Sequence, residues 1–396
     1  MSVVSERVVS PGGAEAAPRR FLIVATNEGG GDIQPLLAIA AGLLARGHHV
    51  TAFGDAAVPP KMAPLGISTI VVPPELALGA AIADRAREVG HRPLEAQAEW
   101  LRDRQVAWAE RLAPAIEEAA EAERAEVLVG GQFGSGAISL AARRLGLPWV
   151  GVNSTFYIGP DPPRPPMLDF GPFTTIFRDF LGPSLDHATL VLHSSDQEFD
   201  FGFDRLPAHH RYVGPLWWDP PGERPGYLDE SGDPWALVSL SSHTQDDLPI
   251  ARAALAALRS LPVRTLLTAG AHADADLGPL PANARVVGYA PHSAVLERAA
   301  LMVSHAGHGS VMRALWHGVP MVLVPWGRDQ RGVAARAERL GVAAVIPRAD
   351  LATESLEAAA RRVLADHSVA ERLAAVSRRL RAHDAVGASC SLIVAV

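Results

Sequence analysis

Short apolar runs alternate with helix-length stretches along this chain, and they do so in two separate series. No other feature limits the fold as much. Such alternation builds a parallel sheet covered by helices on both faces. In the first series "FLIVAT" (Phe21 to Thr26), "HVTAF", "STIVVP", "EVLVGG" and "PWVGV" read as strands. Between them "LLAIAAGLLARG" reads as a helix ending at Gly47, Leu94 to Ala122 as one or two helices around Pro114, and "GAISLAARRLG" as another. In the second series "WALVSL", "VRTLLTAG", "ARVVGY", "LMVSH", "PMVLVP" and "AAVI" read as strands. Helices are expected at "PIARAALAALRSL", "SVMRALWHG" and "GVAARAERLG", and two more, Thr353 to Asp366 and Val369 to His383, are expected to close the chain.

Two proline-rich breaks interrupt the rhythm. "GPDPPRPPMLDFGP", Gly159 to Pro172, reads as a long loop over a site. "VGPLWWDPPGERPGYLDESGDP", Val213 to Pro234, reads as a linker. With 396 residues the chain is too long for one ordinary core. The expected fold is α/β: two doubly wound, Rossmann-like domains facing across a cleft. The expected boundaries are a mobile tail at 1–19, a first domain at 20–215, a linker at 216–234, a second domain at 235–378 and a terminal segment at 379–396. Doubly wound domains bind ligands outside the carboxyl ends of their strands. Two facing domains therefore place a site between them. A linker of this composition predicts a cleft that narrows when ligand binds.

Composition excludes several classes. A formal net charge of -7 argues against a nucleic-acid partner. A hydrophobic content of 48% with 20% charged residues describes a soluble globular protein. The single cysteine, Cys390, allows no intrachain disulfide and fits a reducing cytoplasm. No apolar run approaches a membrane span. The opening "MSVVSERVVSPGGAEAAPRR" lacks the basic and apolar regions of a signal peptide.

The stretch "NEGGGDIQP" puts a glycine turn between the first strand and its helix. One reading is a dinucleotide fingerprint, with Gly29 and Gly31 as G-x-G and Asp55 after the second strand. Gln34, where glycine or alanine is required, and Pro35 in the first helical turn argue against it. A second reading is a tight turn in which Asp32 caps the helix.

A third reading comes from the C-terminal half. There "VVGYAPHSAVLERAALMVSHAGHGSVMRALWHGVPMVLVPWGRDQRGVAARAERLGVAAVI" carries "YAPH", "SHAGHGS", "HGVPMVLVP" and "DQ" in order. This constellation resembles the donor-sugar signature of family 1 glycosyltransferases of the GT-B fold. "RYVGPL" and the Gly-Asp-x-x-Pro of "GDIQP" extend the resemblance to both halves, and to bacterial enzymes that glycosylate antibiotics, macrolides and polyketides.

The resemblance implies an inverting, metal-independent transfer of a hexosyl or deoxyhexosyl group. The donor would be a UDP- or dTDP-sugar co-substrate, with no other cofactor, and the acceptor a small lipophilic natural product. It makes the first domain the acceptor side and the second the donor side, and brings the terminal segment back onto the first domain. Asp32 becomes the general base. His305, with Gly307, Gly309 and Ser310 at a helix N-terminus, meets the diphosphate and stabilises the leaving group. Tyr289 stacks on the base, Ser242 contacts phosphate, and Asp329 and Gln330 bind sugar hydroxyls. Gly131 to Gly136 and the loop with Met167, Phe170 and Phe173 would shape an apolar acceptor pocket. A homodimer is left open.

Two departures bear on the donor. Arg313 stands where many relatives have a ribose-binding glutamate, and Ser241 replaces a loop glycine. They keep two alternatives in play: a sugar-nucleotide epimerase of the same architecture, and an inactive donor-binding accessory protein. Two metal-like patterns are set aside. Asp274 and Asp276 of "HADAD" fall in a Gly/Pro-rich loop, and the adjacent His209 and His210 are expected to point in different directions.

Overall fold

The computed structural model describes residues 17–25, 31–82, 88–89, 91–157, 180–201, 206–222, 224–241, 246–272 and 274–396. Its strands form two all-parallel sheets. The first holds β1 (Arg20–Ala25), β2 (His49–Gly54), β3 (Thr69–Val71), β4 (Val127–Gly131), β5 (Trp149–Asn153), β6 (Leu190–His193) and β7 (His210–Tyr212), in the order β3-β2-β1-β4-β5-β6-β7. The second holds β8 (Trp235–Ser239), β9 (Arg264–Thr268), β10 (Ala284–Val287), β11 (Ala299–Ser304), β12 (Met321–Leu323) and β13 (Ala343–Val345), in the order β10-β9-β8-β11-β12-β13. Strand order reverses between β1 and β4 in one sheet and between β8 and β11 in the other.

Helices cover both faces. In the first half these include α1 (Ile33–Ala45), α2 (Leu94–Ala122) and α3 (Ser135–Leu145). The second half has α4 (Leu248–Leu258), α5 (His292–Leu296), α6 (His308–His317), α7 (Gln330–Arg339), α8 (Thr353–Ala365) and α9 (His367–Arg381), and α10 (Ala385–Val394) ends the chain. Side chains of β1 alternate. Phe21, Ile23 and Ala25 join the core under α1, while Leu22 and Val24 join the one under α2 and α3. A slip of one residue would exchange the two faces. In the second sheet Leu237 and Met302 pack with α6, α7 and α9, and Val238 and Val303 with α4 and α8.

Two helices were expected to close the chain, and there are three. Gly387 and two serines lower the helix propensity of "AVGASCSLIV". Tertiary burial overrides that. Cys390 and Ile393 are fully buried in the core of the first half. A Cβ added to Gly42 of α1 would stand 2.6 Å from Cys390 Sγ, so only glycine lets α10 approach α1 this closely.

The halves are also joined through segments after β5 and β6. Phe156 and Phe199 sit unexposed in a core built mainly from the second half. Arg336 of α7 pairs with Asp200 at 2.9 Å, and its guanidinium lies 3.7 Å from the Phe156 ring centroid. Val213 and Leu216 of the linker are buried in the first half, and Trp217 meets Trp316 edge-on at 5.6 Å. A linker anchored this way is not a free hinge.

Candidate active site

Asp32, Gly131 and His305, singled out in the sequence, stand where strand order reverses, which is where doubly wound sheets leave a crevice. In the first sheet the relevant turns follow β1 and β4. Asp32 stands at the N-cap of α1, and its carboxylate makes no capping bond to that helix. A Cβ on Gly131, at the end of β4, would lie 3.8 Å from Asp32 Cβ. Lys61, the sole lysine of the chain, is close by: burial pushes its ammonium down while Asp55 and Asp32 pull it back up. Asp55 accepts a hydrogen bond from Ala57 N at 2.9 Å within its own turn. Residues 26–30, with Gly29, lie outside the described residues, as do Met167, Phe170 and Phe173. Beside the Gln132–Gly134 turn a small apolar cluster gathers Trp100, Leu101, Phe133, Phe180 and Leu181.

In the second sheet the turns follow β8 and β11. His305, 7% exposed, lies directly after β11 with Nδ1 3.4 Å from Ser239 O. Burial lowers its pKa, and Asp247 opposes that shift. A Cβ on Gly307 would fall 2.5 Å from His305 Nε2, so the imidazole demands glycine there. Gly309 is exposed with open space over its Cβ position, and Ser310 is half-buried in the first turn of α6. A turn of small residues leading into a ten-residue helix presents backbone N–H groups and the positive end of a dipole to an anion. His308 points elsewhere: its Nε2 lies 3.2 Å from Ser195 Oγ of the first half.

Backbone strain marks the same edge. Asp246 (φ 57°), Ala306 (φ 66°) and Arg328 (φ 55°) are non-glycine residues in the left-handed region, and they follow β8, β11 and β12. Such conformations persist only where the surroundings enforce them, and they concentrate at binding sites.

Other predicted contacts sit along this edge. Tyr289, 68% exposed, follows β10. Asp329 accepts a hydrogen bond from Thr155 Oγ1 of the first half at 2.6 Å. Burial raises its pKa and that bond opposes the rise. Gln330 accepts from Trp326 N and Gly327 N at 2.8 and 2.9 Å, so its carbonyl oxygen shapes the turn after β12. Ser242 lies outside the described residues. Ser241 N donates to Asp247 Oδ2 at 2.8 Å.

Arg313 bridges the cleft. It donates to Gln34 Oε1 of α1 at 3.1 Å and pairs with Asp219 of the linker at 3.4 Å. Asp219 also accepts from Ser293 Oγ and from Trp217 Nε1. The sequence reading missed Asp219, Thr155 and Asp247. Asp219 lies in a stretch whose composition reads as linker, Thr155 carries no local signal, and the "DD" before α4 resembles an ordinary helix start.

Comparison with known proteins agrees with this layout. Residues 31–201 match the family described as glycosyl transferase 4-like domain, and residues 252–394 the C-terminal domain described as erythromycin biosynthesis protein CIII-like. O-mycaminosyltylonolide 6-deoxyallosyltransferase of Streptomyces fradiae is 28% identical over 92% of this chain and 94% of its own length. Demethyllactenocin mycarosyltransferase of the same organism is 33% identical, and the match spans 48% of this chain and 40% of that protein. The crystal structure of the glycotransferase of kitacinnamycin superposes with a TM-score of 0.76 at 26% identity, covering 96% of this chain and 99% of that one. The chain is a glycosyltransferase of the GT-B fold.

The two metal-like patterns of the sequence can now be placed. Asp274 and Asp276 are exposed, and Asp276 Oδ1 closes a local turn onto Gly278 N at 2.8 Å. His209 and His210 were expected to diverge. Instead ligand atoms of Asp186, His209 and His210 converge within 4.8 Å, because the pair sits at the start of β7 before strand alternation is established. Hydrogen bonding still disfavours a metal there. Asn153 accepts from Thr155 N and donates to Phe156 O, which fixes its amide donating to His193 Nδ1 at 3.0 Å. His193 then donates from Nε2 to His210 Nδ1 at 3.0 Å, leaving the proton of a neutral His210 on Nε2, facing Asp186. No helix among the described residues is long and apolar enough to cross a membrane.

Proposed function

We propose that this glycosyltransferase moves a hexosyl or deoxyhexosyl group from a UDP- or dTDP-sugar to a hydroxyl of a small lipophilic natural product, with inversion and without a metal ion. One observation carries the reading. The Gln34–Arg313 and Thr155–Asp329 hydrogen bonds bring the two strand-order reversals face to face. These bonds support a reading in which Asp32 and the His305 turn line opposite walls of one cleft.

In this reading the diphosphate rests on the Gly307 turn and the N-terminus of α6, with Ser310 and His305 as donors. Charge develops on the departing diphosphate in the transition state, so donors fixed there lower the barrier. Tyr289 offers an exposed face for the base. Asp329, held by Thr155, and Gln330, fixed in the turn after β12, bind sugar hydroxyls. Asp32 takes the proton of the attacking hydroxyl as the new bond to the anomeric carbon forms. A single displacement inverts that carbon. The cluster around Phe133 favours an acceptor with an apolar face.

The test is incubation with UDP- and dTDP-hexoses and a panel of aromatic and macrolide acceptors, in excess chelator, with the anomeric configuration read by NMR. Retention, or a strict need for added magnesium or manganese, would refute the mechanism. Epimer formed from donor alone would favour the epimerase, and donor binding without any turnover the accessory protein.

A further inference from the structure

Three neighbouring strands of the second sheet end around one buried carboxylate. Asp247, with no exposure, follows β8, while His272 follows β9 and His305 follows β11. Asp247 Oδ2 accepts from Ser241 N at 2.8 Å, and Oδ1 lies 3.0 Å from His272 Nε2. The residue before it, Asp246, is held left-handed at φ 57°. A carboxylate kept from water is expensive unless charge or hydrogen bonds meet it.

The hydrogen on His305 can be placed from its neighbours. Nδ1 faces the carbonyl of Ser239 at 3.4 Å, and a carbonyl only accepts. The neutral ring therefore carries its hydrogen on Nδ1 and a lone pair on Nε2, on the Gly307 side. A lone pair repels an anion seated in that turn. To donate to a diphosphate, His305 needs a second proton.

We propose that Asp247 and His272 are positioning residues of the donor site: a nucleoside diphosphate seated on α6 draws one proton from solvent onto His305 Nε2, and the buried Asp247 carboxylate, held by His272, is its counter-charge. This rests on the reading of His305 as a diphosphate donor. The step adds one proton and breaks no covalent bond. Burial is the largest force against charging His305 in the free protein, Asp247 favours it, and Arg328 opposes it. His292 faces the same ring, and burial, then Arg313, pushes it down to about 4, so it stays neutral. With the diphosphate's negative charge beside it, the balance reverses and the imidazolium becomes the favoured form.

Proton uptake makes binding pH-dependent. Between the free and bound pKa values of His305, the Kd for the diphosphate rises about tenfold per pH unit. The experiment is calorimetric titration of the full chain with thymidine diphosphate and uridine diphosphate at pH 7.5, in buffers of different ionisation enthalpy. The terminal phosphate, with a second pKa of about 6, is already dianionic there. The native chain should take up about one proton per nucleotide bound. His305→Gln should abolish uptake. Asp247→Asn should cut it by more than half and flatten the pH dependence, with His272→Gln intermediate between the native chain and Asp247→Asn; far-ultraviolet dichroism checks that each variant is folded. Binding with no uptake in the native chain overturns the proposal and leaves the donor site standing. Weaker binding with unchanged uptake in both Asp247→Asn and His272→Gln overturns it too, since that would be a purely structural effect. If neither nucleotide binds, the donor reading itself falls.

Discussion

Replacing Arg336 with methionine tests how firmly the two halves are joined. Arg336 is 1% exposed and Asp200 is unexposed, so the substitution leaves a carboxylate in the interior without its cation. Breaking a buried pair from one side costs about 3–5 kcal/mol. Asp200 keeps three donors, Tyr157 N at 2.6 Å, Phe201 N at 2.7 Å and Tyr212 Oη at 2.8 Å, which favours the lower end of that range. The stacking of the guanidinium on Phe156 is lost as well, worth about 1 kcal/mol. The expected loss is therefore about 4 kcal/mol. Urea denaturation at pH 7.5, followed by dichroism and tryptophan fluorescence, measures it. A second signature comes from pH. Burial raises the pKa of native Asp200, but Arg336 and the hydrogen bonds outweigh it and hold the group below its ordinary value. Its contribution in the native chain is thus present above the unfolded carboxylate pKa and lost only in strong acid. Without Arg336, burial is less opposed, the folded pKa rises, and protonation on acidification relieves the penalty. The gap between native and variant should narrow from pH 7.5 to pH 5. Arg336→Met combined with Asp200→Asn should recover more than half of the loss. A loss under about 1 kcal/mol, or a gap that ignores pH, would refute the idea that this pair joins the halves.

Asp32→Asn should leave nucleotide binding intact and lower turnover by roughly two to four decades, the range for a general base; turnover within a few-fold of the parent would remove Asp32 from the chemistry. His193 and His308 are buried, which pushes them down to about 3 and about 4. Their stabilising effect is complete above the unfolded value of 6.5 and is lost as pH falls below it, because the unfolded chain takes the protons first. Each should remove about 2 kcal/mol at most between pH 7.5 and pH 5, seen as a falling urea midpoint, and an unchanged midpoint would contradict their burial as neutral groups. Small-angle scattering with saturating nucleoside diphosphate should show little change in radius of gyration, since Phe156, Phe199 and the Arg336–Asp200 pair already join the halves; a clear compaction would restore the hinge suggested by the proline-rich linker.

What could be read from the sequence was what repeats locally. Strands buried on both faces read as continuous apolar runs, as "FLIVAT" and "LMVSH" do, and their order along the chain implies parallel crossovers. The glycine turns were legible for a different reason. Gly307 must lack a side chain because His305 lies over it, and that constraint shows as small residues around a histidine. What could not be read lies in pairs distant along the chain. Thr155 and Asp329 are 174 positions apart, Asp200 and Arg336 are 136, and neither pair has a local pattern. The helix α10 was missed because its own propensity is poor and its stability comes from the face of α1 that it covers.

The missed residues share a location with the predicted ones. Asp219, Asp247 and Thr155 all stand on segments that leave the sheets at the cleft, beside Arg313, His305 and Asp329. Motif reading finds groups that present backbone or side chain directly to a ligand, because those tolerate few residue types at fixed spacing. It does not find the groups that hold them, because a carboxylate can reach a histidine from any neighbouring strand end. In this chain the holding residues come from β8 for His305, from the linker for Arg313 and from the loop after β5 for Asp329. Two of those three links cross between segments flanking the cleft. The proposed donor site therefore depends on how the halves meet, and a substitution at a residue with no proposed ligand contact of its own, such as Thr155→Val, acts on the site through Asp329.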